Sequence, residues 1–170
     1  MEREAVIIDV TIPFEAHPIS EEDLQKKNAR VVGDMPIFSY IPLKDTLDDA
    51  LNNWLKILNA KLDYLINLLT CYREGFTTLP YQSVNISEKG ISFIYDSPLN
   101  IGQAVEVRMV LDLYQSIGFY LYGRVVRSDP KDNKYQIGIE WLPMSPDISD
   151  KLSFYILHKQ REIIRKKKGL

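Results

Sequence analysis

Very little in this chain is suited to covalent or metal chemistry, and the shortages set the first limits. A single cysteine, Cys71, excludes an internal disulfide, and no histidine lies near it in the sequence to activate it as a nucleophile. His17 and His158 are the only histidines and stand far apart, so a zinc set has no basis. No glycine-rich phosphate loop occurs, and Asp48, Asp49 and Asp63 fall on one helical segment, where solvation explains them. The expectation is a protein that is not an enzyme and requires neither metal nor cofactor. Net charge is also scarce. Lys and Arg number 21 against 23 Asp and Glu, and the balance of −2 gives no general pull toward nucleic acid or anionic lipid. Any anion site must therefore be local. No run approaches the roughly 18 apolar residues of a membrane span, and no leader is visible, so a cytoplasmic protein without membrane insertion is expected.

What is present is apolar residues in two distinct rhythms. With 170 residues and 45% hydrophobic content the chain can bury one core, so residues 1–170 are read as a single domain. Over residues 45–72 the leucines Leu51, Leu55, Leu58, Leu62, Leu65 and Leu69 alternate steps of four and three, a heptad pattern that fits self-association or an ordinary amphipathic helix docked on its own domain, and self-association is the expectation. A second apolar strip, built from Leu47, Ala50, Trp54, Ile57, Tyr64 and Leu68, lies beside the first, and Lys61 and Ile66 break the pattern. A two-stranded coiled coil would cover only the leucine seam. Either the second strip rests on the chain's own body, or several copies enclose both strips in a bundle.

After Pro80 the period becomes two. Ile91, Phe93 and Tyr95 alternate, then Val105, Val107, Met109, Leu111 and Leu113, and the segments 118–127 and 135–141 add two more strands around the turn at 128–133. Consecutive strands imply an antiparallel sheet. Closure into a small barrel, completed by an early strand near 6–14, removes its open edges. Ser145 caps and Pro146 starts a C-terminal helix that plugs or flanks the barrel and ends in basic residues. A short helix at 20–30 and a strand at 37–41 are the only signals in between. The aromatics Phe93, Tyr95, Tyr120, Tyr122 and Trp141 fit core or strand positions with no basic stripe beside them, which argues against a nucleic-acid polymer as partner.

The segment "VNISEKG", residues 84–90, carries the most specific chemistry. Asn85 and Ser87, two apart on a strand, project together while Val84 and Ile86 face inward; Gly90 is expected to take the positive dihedral of a reversal. Taken alone, an ordinary hairpin turn explains these residue types equally well. Together with "LNIGQAVEVRMVL", "YGRVVR", "YQIGIEW" and the closing helix, however, "NISEKG" resembles the body of a PilZ domain over about residues 80–160. That resemblance implies a mainly β fold with helices, a six-stranded antiparallel barrel, and cyclic di-GMP as a possible ligand. The heptad helix is similar to that of the atypical, tetramer-forming branch of the family, which implies a homotetramer and an adaptor role toward a protein partner. Typical members also carry Arg-x-x-x-Arg before the first strand, whereas "MEREAVIIDV" holds one arginine, Arg3. Forgoing two charge-assisted bonds weakens binding by about a hundredfold or more. Arg73, Lys89, Arg124 and Arg127 are the cations that sequence offers as substitutes around Asn85, Ser87 and Gly90.

Overall fold

The computed structural model describes residues 4–34 and 48–169, so the strand expected at 37–41, Leu47 and Arg3 lie outside the described residues. Among the described residues, seven strands form one antiparallel sheet in the order β2-β6-β5-β1-β3-β4-β7, and an added β6–β7 pairing closes six of them into a barrel. β1, Ile7–Pro18, pairs along its first half with β3, Tyr81–Ser87, and along its second half with β5, Ala104–Asp112. β4, Gly90–Tyr95, and β7, Lys134–Trp141, complete the ring with β6, Ser116–Lys131. The early strand is thus longer than the 6–14 expected and works on both sides.

The alternating residues do what their period dictates. Phe14, Ile86, Met109, Leu111, Phe119 and Ile137 turn inward and are buried, each stabilising the fold by roughly 1.5 to 3 kcal/mol over exposure. The hairpin between β6 and β7 turns at Asp132 and Asn133, both at positive φ, the residue types that adopt this conformation most cheaply after glycine. The C-terminal helix α3, Pro146–Lys167, is capped by Ser145, and its Ile148, Leu152, Tyr155 and Ile156 join the barrel core.

Two differences from expectation concern the segment after β1. The short helix α1 spans only Glu21–Gln25, and the chain then forms β2, Arg30–Val32, a seventh strand outside the barrel that pairs with β6. Three residues are too few for any period to show. β2 covers a second small core of Val32, Phe76 and Leu79. Gly118 on β6 makes room for it, because a Cβ there would sit 2.9 Å from the Phe76 ring.

The heptad segment is one helix, α2, Asp49–Arg73, started by the Asp48 carboxylate accepting from the amides of Ala50 and Leu51 at 3.0 and 3.2 Å. It ends at the cap Glu74, followed by Gly75 at φ 78° and a 3-10 turn, Phe76–Thr78. None of its residues is buried. The contacts that tie it down gather in its last turns: the Asn67 amide donates to the Gln115 side chain at 3.2 Å, and Cys71 packs against Val32 and Gly33 of the β2 region.

Candidate functional site

The turn between β3 and β4 is held by one side chain. Ser87 Oγ accepts from the amides of Lys89 and Gly90, both at 3.2 Å, and donates to the Gly90 carbonyl at 3.3 Å. The Trp141 indole donates to the Ser87 carbonyl at 3.2 Å, and the Trp141 amide to that of Lys89 at 2.9 Å, tying the turn to β7. Gly90 is there for a reason other than the one expected. It has no positive φ; a Cβ at this position would lie 2.0 Å from the Ile139 carbonyl oxygen, so the glycine lets β4 approach β7. The Ser87 hydroxyl is correspondingly spent on the turn, while Asn85 remains exposed beside it.

Asn85, Ser87, Lys89, Gly90, Ser92 and Arg127 line one open cavity of about 780 Å³, floored by the β4–β7 backbone. A bulge in β6 between Val125 and Arg127 brings Arg127 to this surface, where its guanidinium donates to Ser92 Oγ at 3.2 Å and pairs with Asp129 at 3.5 Å. Among the four substitute cations, Lys89 and Arg127 therefore gather at the turn and two do not. Arg124 is engaged with the Glu21 carboxylate at 2.5 and 3.0 Å and with the Gly102 carbonyl at 3.1 Å. That partner holds the Glu21 carboxyl below the usual glutamate range. Arg73 sits in the last turn of α2 beside Glu74. Sequence could not place these arginines, because their position depends on register between strands far apart in the chain.

Local charge at the turn is mixed. Glu140 lines the same cavity, and Asp9 is the cross-strand partner of Asn85, so a carboxylate stands next to the residue best able to meet a ligand. Sequence reasoning missed Ser92 and Asp9. The outward position of Ser92 was available from the alternation of Ile91 and Phe93; that of Asp9 required the β1–β3 register.

The other functional feature is the surface of α2. Leu51, Leu58, Leu62, Leu65 and Leu69 are exposed, as are Trp54, Ile57, Tyr64 and Leu68 of the second strip; Trp54 reaches 70% and Leu69 65%. Leu55 is partly covered. So much exposed apolar area in one continuous element makes it a candidate binding surface. No helix among the described residues is long and apolar enough to cross a membrane.

Among solved structures, the fold is similar to a Xanthomonas campestris protein described as a new tetrameric PilZ domain self-assembled via an unusual helical bundle. The TM-score is 0.64 at 16% identity, covering 95% of this chain and 91% of that one, a likeness of fold. No curated protein matches. Residues 65–158, more than half of the sequence, match the PilZ domain. With the closed six-stranded barrel and the Asn85-Ser87-Gly90 turn in place, that match means that the chain belongs to the PilZ domain family, a family of cyclic di-GMP signalling.

Proposed function

We propose that the protein is an oligomeric regulatory or adaptor component of bacterial cyclic di-GMP signalling, acting in the cytoplasm as one domain, 1–170. It self-associates through Leu51, Leu55, Leu58, Leu62, Leu65 and Leu69, and the tetramer is the favoured state. The observation that carries this reading is a 25-residue helix with no buried residue and two adjacent apolar strips. A two-helix seam hides one strip only, whereas a four-helix arrangement hides both. The helical bundle attributed to the Xanthomonas campestris protein supports it. Light scattering at micromolar concentration tests it: a mass several times 19.7 kDa is expected, and a monomer overturns the proposal.

Cyclic di-GMP binding is weak or lost in this reading, because the segment before β1 holds one arginine in place of an Arg-x-x-x-Arg pair and Asp9 and Glu140 stand near the turn. A second reading, a true receptor, is favoured by one observation: Lys89 and Arg127 share a cavity with Asn85 and Gly90. Calorimetry with cyclic di-GMP decides between them. Saturable binding that Arg127→Ala removes makes the protein a receptor; a flat titration leaves the adaptor.

A further inference from the structure

A second charged cavity, of about 620 Å³, opens at the root of α2, where β1, β2, β5 and β6 meet the chain between α1 and β2. It is separate from the turn cavity: Ile7, at one end of β1, lines the turn cavity and His17, near the other end, lines this one, about 30 Å away along the strand. Its size suits a small ligand.

Four cations, Lys26, Lys27, Arg30 and Arg108, line it against two carboxylates, Glu74 and Glu106. Both carboxylates are ionised and engaged. Burial pushes the Glu106 carboxyl up, but the Lys27 ammonium at 2.9 Å and the Tyr122 hydroxyl at 2.9 Å outweigh it and hold it below the usual range. Glu74 is held down by Arg30 at 3.1 Å, with the Tyr120 hydroxyl donating to the same oxygen at 3.0 Å. The lining therefore carries a surplus of two positive charges in a chain whose net charge is −2.

The counter-ions that would cancel the surplus sit outside the lining. Lys26 pairs with Glu22, but both side chains are more than two-thirds exposed, and such a pair contributes little and yields easily to a better acceptor. Arg108 gives one terminal nitrogen to Glu15 at 3.3 Å and the other to the Glu74 carbonyl, and its Nε is buried with no acceptor. That nitrogen is enclosed by protein, so what the cavity presents to a ligand is the more exposed cations Lys26, Lys27 and Arg30. The Arg30 guanidinium carbon lies over the Tyr120 ring, 3.9 Å from its centroid, at the cavity wall. Guanidiniums beside lysine ammoniums are a donor set that recognises phosphate oxygens.

We propose that this cavity binds a small phosphate-bearing anion through Lys26, Lys27 and Arg30, with Arg108 beneath. The ligand competes with Glu74 for Arg30. Glu74 is the residue that caps α2, and its side chain and carbonyl are the points where Arg30, Tyr120 and Arg108 grip the end of that helix. Occupancy consequently loosens the joint between helix and barrel. The site stands independently of any ligand at the β3–β4 turn and of the oligomeric state.

The test is calorimetric titration of the full chain with pyrophosphate at low ionic strength, with far-ultraviolet circular dichroism on every variant. One saturable site is expected, weakening about tenfold for each cation removed in Lys26→Gln and Arg30→Ala and unchanged in Arg127→Ala. Lys26 is exposed, so Lys26→Gln keeps the test valid even where Arg30→Ala disturbs β2. A flat wild-type isotherm overturns the proposal. So does binding that survives Lys26→Gln and disappears in Arg127→Ala, which would move the anion to the turn.

Discussion

The barrel and α2 have similar apolar richness but opposite fates. In β5 and β6 the apolar residues face inward, and Val105, Met109, Leu111, Phe119 and Leu121 are fully enclosed within one chain. In α2 equally large leucines remain exposed, because the helix touches its own body mainly through its last turns. A barrel closes on itself and satisfies its hydrophobic faces locally; a lone helix cannot. The barrel thus encloses its own apolar surface, while the 25 residues of α2 leave theirs open, and the proposed self-association rests on that contrast.

Four perturbations break or sharpen that contrast. Leu58→Asp with Leu62→Asp should abolish the oligomer, dropping the scattering mass to 19.7 kDa, while the circular dichroism of the strands stays unchanged. Phe14→Ala should do the reverse, costing about 3 to 5 kcal/mol of stability by denaturant titration, since Phe14 is 1% exposed and packs on Phe93 at 5.1 Å. Gly90→Ala should cost roughly 1 to 3 kcal/mol, because its methyl meets the Ile139 carbonyl and must push β4 off β7. The smallest effect is one of pH. Glu74 and Glu106 have folded-state pKa values below their ordinary 4.5, so the unfolded chain takes up their protons first in acid. Their stabilisation is complete above about pH 4.5 and is lost as pH falls through the lower folded values. Thermal melts from pH 6 to 3 should show a slope that Glu106→Gln reduces.

The barrel was legible because strands with one buried face print their period on the sequence; Ile91 to Tyr95 and Val105 to Leu113 are examples. α2 was legible because its leucines keep a heptad spacing, although none of its residues is buried. β2 was not, since the three residues Arg30–Val32 are too few for the two-residue strand period to recur. At the site, the Asn85-Ser87-Gly90 turn could be found, yet the role of Gly90 was misassigned: the constraint comes from Ile139, distant in sequence, and not from the local dihedral. Arg124 looked as available as Arg127. Only the fold reveals that Glu21 occupies the first while a bulge aims the second at the cavity. Asp9 was invisible as a neighbour of Asn85 because their proximity exists only in register.

Should the anion proposed above loosen the joint at Glu74 and free the Asn67 and Cys71 contacts, α2 becomes a lever about the elbow at Glu74 and Gly75. At 1.5 Å per residue its 25 residues extend about 37 Å from that pivot, so a tilt of about 10° displaces the far end by about 6 Å. Small rearrangements among Arg30, Arg108 and Tyr120 would thus be magnified into a displacement larger than a whole helical turn.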